Sequence, residues 1–273
     1  MALTDFQRSV CRLLADARIA QGESYVAGGA ALNLLMGTSR ISRDIDLFHD
    51  TDEALDQTWR SDRATLLAND YDIDVVRERP SYVEARVSHG PQAVLMQWAR
   101  DSAFRFFPLV RHEELGLTLH PFDLATNKVL ALVGRLEVRD WVDVIACDQH
   151  IQPLGYLIWA ACGKDPGFSP PSLLAEARRS SRYSAAEVAE LQFAGAQPDA
   201  ADLSRTWRRM LDQSDAILAS LPPQEAGKAV LSRDGQLFCG NEPQVRLALS
   251  AGRILFHAGT IRGVFPTIAD APR

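Results

Sequence analysis

The chain has 273 residues, 47% of them hydrophobic and 23% charged, with a formal net charge of −6. That length builds one large domain or two ordinary ones, and the composition is that of a globular protein rather than a fibrous or disordered one. The acidic balance argues against wholesale wrapping of nucleic acid, and the longest apolar stretch, "PLGYLIWAAC", is too short to span a bilayer.

In chain order, "MALTDFQRSVCRLLADARIA" predicts an amphipathic helix, because Phe6, Val10, Leu13 and Leu14 recur at helical spacing. It carries Asp5 and Asp16 and lacks the apolar core of a signal peptide, so the expectation is a cytoplasmic protein with no membrane partner. "QGESYVAGG" reads as a short strand entering a glycine turn, and "GAALNLLMG" as a buried helix ending at Gly37. "RDIDLFHD" is a strand with Ile45 and Leu47 on one side and Asp44 and Asp46 on the other. "TDEALDQTWRSDRATLLAND" is helical, capped by Thr51 or Asp52. Residues 71–102 read as extended segments joined by turns, the clearest at His89-Gly90-Pro91. "HPFDLATNKVLALVGRLE" and "RDWVDVIACDQH" are two successive helices.

Composition shifts at "CGKDPGFSPPS", residues 162–172, which reads as a linker. Beyond it come helical segments, one opening with a Ser184–Glu187 capping box, and "KAVLSRDGQLFCG", which suggests a hairpin around Asp234-Gly235. The pattern predicts an α+β fold: a mixed sheet flanked by helices over residues 1–150, then a mostly helical domain over 151–273. Cys11, Cys147, Cys162 and Cys239 form no Cys-x-x-Cys pair and are expected to be reduced thiols. Among 29 basic residues only Lys128, Lys164 and Lys228 are lysines, which singles each of them out.

Residues i and i+2 of a strand share a face, so Asp44 and Asp46 project together, roughly 6–7 Å apart along the strand. Carboxylates so placed can hold hard cations such as Mg²⁺ that keep triphosphate oxygens in their shell. Gly28-Gly29, where a strand turns into a helix, offers free N–H groups and a helix dipole to phosphate. A second Asp-x-Asp, Asp72 and Asp74 in "YDIDVV", shows that the motif alone is not diagnostic. The order strand, Gly-Gly, helix, Arg-x-Ser-x-Asp-x-Asp is far more specific.

On those residues, "GG" followed by "RISRDIDLF", the sequence resembles the DNA polymerase β-like nucleotidyltransferase superfamily, and within it the AbiEii-type nucleotidyltransferase toxins. "LATNKVLALVGRLEVRDWVDV" is similar to that family's lysine helix and Arg-Asp helix, so the resemblance spans roughly residues 24–146. It implies that residues 1–150 form a nucleotidyltransferase domain. Gly28, Gly29, Ser42 and Arg43 would lie on the nucleotide, Asp44 and Asp46 would hold Mg²⁺, and Lys128 would contact the phosphates. Asp140, with Asp143 as a companion, would act as general base or orient Lys128. Lys128 and Arg135, seven residues apart, share a helical face as a phosphate-binding pair would. A purely structural ion pair between Lys128 and Asp140 is the alternative.

The pattern departs from the family at "VLMQWARDS", where Gln97 occupies the position of a third carboxylate and Asp101 comes four residues later. The resemblance further implies transfer of a nucleoside monophosphate from an NTP to RNA, at a tRNA 3′ end, by a toxin neutralised by a partner antitoxin. Arg178, Arg179, Arg182, Arg205, Arg208 and Arg209, with Tyr183 and Trp207, are candidate RNA contacts. Two alternatives stay open: an acceptor that is a protein hydroxyl or a small molecule, and a non-catalytic nucleotide-binding module.

Overall fold

The computed structural model describes residues 2–180 and 183–267. In chain order its elements are α1 (Asp5–Gln21), β1 (Ser24–Ala27), α2 (Gly28–Met36), β2 (Asp44–His49), α3 (Asp52–Ala68), β3 (Asp72–Arg79), β4 (Tyr82–His89), β5 (Gln92–Arg100), β6 (Phe104–Arg105), β7 (Val110–His112) and β8 (Gly116–Thr118). There follow α4 (Pro121–Arg135), α5 (Val138–His150), α6 (Leu154–Ala161), α7 (Pro170–Ala177), α8 (Ala185–Ala189), α9 (Ala200–Ser220), β9 (Lys228–Ser232), α10 (Glu242–Ser250), β10 (Ile254–Ala258) and β11 (Thr260–Ile261).

Two units result. The first comprises residues 1–103, 109–120 and 192–196; the second comprises 104–108, 121–191 and 197–273. The first holds a seven-stranded mixed sheet in the order β3-β4-β5-β2-β1-β8-β7. β1 runs antiparallel to β2, whereas β2–β5 and β1–β8 are parallel. The expected mixed sheet flanked by helices is therefore present.

The sheet's central strands follow from period-two alternation. On β2, Ile45, Leu47 and His49 are buried, while Asp44, Asp46 and Phe48 are partly open. β5 buries Val94, Met96 and Trp98, and β4 buries Val83, Ala85 and Val87, on that same inner side. Trp98 packs on Trp59 of α3 with ring centroids 4.7 Å apart, and its indole N–H donates to Asp62 at 2.9 Å. Burial pushes the Asp62 carboxyl up despite nearby Arg18 and that hydrogen bond. α1 begins with a capping box in which Thr4 and Gln7 satisfy each other's backbone N–H groups, and it ends at Gly22 in the left-handed region. Thr51, rather than Asp52, caps α3, accepting from the Ala54 N–H at 3.1 Å.

The second unit is mostly helical. Tyr156, Trp159, Ile217, Leu221, Val230 and Val245 form one of its apolar clusters. α4 and α5 fall in this unit rather than with the sheet, so this division does not follow residue 150. The stretch 162–172 is a loop inside the unit and not a linker: Lys164, with its side chain 8% exposed, reaches Asp123 at 2.8 Å, and Ser169 caps α7. Glycine and proline there serve close packing, since a Cβ on Gly163 would lie 2.1 Å from the Gly227 carbonyl oxygen. The turn at Asp234-Gly235 forms, but β9 finds its main partner in β10, across α10, and meets the returning segment at a short bridge around Leu231–Leu237, with Phe238 N–H donating to Val230 O at 3.1 Å and Ser232 N–H to Gln236 O at 2.9 Å. The Ser184–Glu187 capping box is present at α8. Among the described residues no helix is long and apolar enough to cross a membrane.

Candidate active site

In the first unit β1 delivers the chain to Gly28, where φ is 63°, and α2 starts there with no side-chain cap on its N-terminus. Its first N–H groups keep the partial positive charge of a helix start. The antiparallel register sets Ala27 opposite Asp46, which brings the Asp46 carboxylate over Gly28. A Cβ on Gly28 would stand 1.7 Å from Asp46 Oδ2, so only glycine lets the carboxylate occupy that place. Gly29 is equally confined: a Cβ would lie 2.5 Å from Arg40 Nη2 and 3.1 Å from Ser42 Oγ.

Ser42 is buried and donates to Asp44 Oδ1 at 3.1 Å, fixing that carboxylate. The Ser42 carbonyl accepts from Gln7 Nε2 at 2.8 Å, and its N–H donates to the Ala2 carbonyl at 3.3 Å, so both backbone groups of Ser42 are held just before β2. Gly28, Gly29, Ser42, Asp44 and Asp46 are thus brought together, while Arg43 is exposed beside them. Arg40 is the arginine of the Arg-x-Ser-x-Asp-x-Asp motif, to which the sequence reading gave no role of its own. It is 5% exposed and packs beside Gly29, bridged to Phe193 by the pairing of its neighbours with residues 192–194, Ile41 N–H to Gln192 O at 2.9 Å and Ala194 N–H to Ser39 O at 2.7 Å. The only local signal was an arginine two residues before Ser42.

Gln97 lies directly beside Asp46 in the parallel β2–β5 register, and its Nε2 donates to Glu84 Oε1 at 3.4 Å on the next strand. The cross-strand row is therefore Asp46, Gln97, Glu84. Asp101 falls beyond the end of β5, its N–H donating to the His49 carbonyl at 3.0 Å. Among the described residues no three His, Cys, Asp or Glu side chains gather closely enough to hold a metal ion. Two partly open carboxylates fit Mg²⁺ nonetheless, because that ion commonly takes one or two protein carboxylates and completes its shell with substrate phosphates and water.

In the second unit α4 and α5 place Lys128 Nζ 2.9 Å from Asp140 Oδ1 and 3.2 Å from Asp143 Oδ2. Arg135 grips the same Asp140 from the other side, with Nε 2.6 Å from Oδ2 and Nη2 3.0 Å from Oδ1. Both aspartates are fully buried and the Lys128 side chain is 7% exposed. Burial alone would raise the Asp140 carboxyl; Lys128 and Arg135 outweigh it and hold the group below the usual carboxylate range. An acid so stabilised as an anion is a weak base and a strong anchor. Lysine rarity pointed equally to Lys164, whose buried pair with Asp123 ties the Phe106 and Phe107 N–H groups, and to Lys228, paired with Glu225.

The mixed sheet flanked by helices is the fold this chain shares with solved nucleotidyltransferases. Residues 12–107 match the family described as nucleotidyl transferase AbiEii toxin, of type IV toxin–antitoxin systems. Over that stretch the chain is similar in sequence to AbiEii-type nucleotidyltransferase domains. In fold it is similar to a candidate nucleotidyltransferase from H. pylori, at 17% identity over 79% of this chain and 94% of that one, with a TM-score of 0.50. It is likewise similar to MenT4, a nucleotidyltransferase toxin from Mycobacterium tuberculosis H37Rv, at 18% identity over 80% and 83% of the two chains, with a TM-score of 0.51. Comparison with curated proteins gives no match.

Proposed function

We propose that the protein transfers a nucleoside monophosphate from an NTP to the 3′ hydroxyl of an RNA, with tRNA as the acceptor, and that a cognate antitoxin protein neutralises it. The observation that carries this is the seating of Asp46 over Gly28: it joins the phosphate-receptive start of α2 to a carboxylate pair suited to Mg²⁺. Asp44 and Asp46 would hold the ion, Ser42 orients Asp44, and Gly28 and Gly29 leave backbone N–H groups open to the triphosphate. When bound, Mg²⁺ would neutralise triphosphate charge and favour charge growth on the departing group.

The acceptor oxygen bonds to the α-phosphorus as the bond from that phosphorus to its bridging oxygen breaks. Pyrophosphate leaves, and the hydroxyl proton passes to solvent. Lys128 is the proposed phosphate contact, with Asp140 as its positioning residue, because Asp140 already satisfies two cations and has little basicity to offer.

The test is incubation of the full chain with each α-³²P-labelled NTP, Mg²⁺ and total tRNA, beside Asp44→Ala. Label on tRNA that disappears in the variant is expected. Label on no RNA with any NTP, under conditions where NTP binds, would sink the RNA assignment.

A further inference from the structure

Of the helical arginines suggested by the sequence, Arg208 and Arg209 are exposed, whereas three others are taken up by carboxylates. Arg178 is paired with Asp215, Arg179 with Glu176 and Arg205 with Asp202. Trp207 is fully buried, Tyr183 packs on Trp141, and Arg182 lies outside the described residues. A different basic surface lies on the sheet of the first unit.

Cross-strand registers set three rows on the face that carries the aspartate pair: Asp44–Leu95–Arg86–Asp74, Asp46–Gln97–Glu84–Arg77 and Phe48–Ala99–Tyr82–Arg79. Directly opposed residues share a face, so Tyr82, Arg77, Arg79 and Arg86 stand on the same side as Asp44 and Asp46. All three arginines are exposed. Among the described residues none of them closes an ion pair within 4.0 Å, although Asp74 and Glu84 are their strand neighbours. Arg77 sits over the Tyr82 ring, 6.0 Å from its centroid. The Tyr82 phenol is pushed up by burial first and then by Glu84, with Arg77 opposing and Asp46 adding to the shift.

We infer that this face, from Tyr82 out to Arg77, Arg79 and Arg86, is the platform on which a single-stranded RNA acceptor lies with its terminal hydroxyl directed at Asp44 and Asp46. The inference rests on nucleotidyl transfer to RNA as proposed above. With strands roughly 4.8 Å apart, Tyr82 stands about 10 Å and the β3 arginines about 14 Å from β2. That is the span of about three or four stacked nucleotides at roughly 3.4 Å each. Guanidinium groups grip phosphate through paired N–H donors, and an aromatic ring offers a stacking surface to any base. The outer edge suits nucleic acid better than a protein strand, because a bulge between Val75 and Arg77 breaks its register as protected edges do.

The experiment titrates the full chain against a fluorescein-labelled 10-nucleotide single-stranded RNA at several salt concentrations, with NTP binding measured in parallel. Arg77→Glu/Arg86→Glu and the milder Arg77→Gln/Arg86→Gln are expected to weaken RNA binding at least tenfold and fivefold respectively. The salt slope should fall by about one for each phosphate that is no longer gripped, while NTP affinity holds. Tyr82→Ala should cost about tenfold. Unchanged RNA affinity in both double variants, with loss instead in Arg208→Glu/Arg209→Glu, would overturn the platform and leave the RNA acceptor standing. A wild-type chain that binds NTP but no RNA, and labels a protein in its place, would overturn both.

Discussion

Asp-Ile-Asp occurs twice in this chain, at residues 44–46 and 72–74, and each copy heads a strand of the same sheet. The register even sets them on one face, with Asp44 and Asp74 at the two ends of a single cross-strand row. What separates them is the neighbourhood. Asp46 is on a central strand, against the glycine start of an uncapped helix, and Asp44 accepts from a buried serine. Asp72 and Asp74 are exposed on the edge strand β3, whose other side meets no strand among the described residues. A third set of acids, Asp140 and Asp143, shows the opposite extreme of full burial against Lys128. The residue type supplies a charge, and the backbone around it decides whether that charge can receive a ligand.

The sharpest way to break this comparison is to truncate both copies. Asp44→Ala and Asp46→Ala should each lower nucleotidyl transfer by about 1,000-fold or more, about 4 kcal/mol of barrier. Asp72→Ala and Asp74→Ala should stay within about twofold in the same label-transfer assay. Equal losses at both sites would show that the sheet face, not the glycine-backed corner, selects the acids.

Next in size is the buried set. Asp140→Ala should destabilise the protein by about 3 kcal/mol in urea titration, because it leaves Lys128 buried with one carboxylate fewer. A carboxyl held below its ordinary range contributes stability that is present above the unfolded-state pKa and lost as pH falls through the folded one. Asp140→Asn should therefore flatten the acid side of the stability profile.

His49 tests the inner side of β2. Burial lowers its imidazole to about 4, although the Ala99 carbonyl at 3.2 Å favours the proton. The unfolded chain takes up that proton near pH 6.5, so stability should fall as pH drops from 6.5 toward 4, by up to about 3 kcal/mol. Thermal melts across that window should lose this slope in His49→Gln.

The smallest effect gives the finest resolution. Gly28→Ala forces a methyl group into the Asp46 carboxylate and should cut transfer about 100-fold, about 2.7 kcal/mol. Gly37→Ala has a similar φ of 66° but open space around it, and should cost about 1 kcal/mol of stability with activity kept. The pair separates displacement of a ligand from backbone strain.

Much of this was legible in sequence because it is local. Alternation in "RDIDLF" gave the strand and its two faces, and the glycine pair gave the strand-to-helix corner. Lys128 and Arg135 lie close together as their spacing suggested, but the group they share is Asp140 rather than a phosphate. What stayed hidden depends on contacts distant in sequence. Nothing near Arg40 announces that residues 192–194 will cover it, and nothing near Gln97 announces Glu84 beside it. Trp207 was misread as a surface ring although Met210, Leu211, Ser214 and Ile217 continue its buried stripe at helical spacing. The loop at 162–172 has a linker's composition, but its lysine is needed by Asp123.

The return of residues 192–196 to the first unit has a consequence for how this protein can be dismantled. The chain leaves the sheet after His120, builds helices, comes back to lie along Ser39–Ile41, and departs again. No single cut yields a catalytic half: a fragment ending anywhere between residues 121 and 191 would lack the strip that covers Arg40. Recombination or fusion that treats the front of the gene as a cassette would strip a wall from the glycine corner, so the sheet and its helical remainder are expected to be inherited as one indivisible piece.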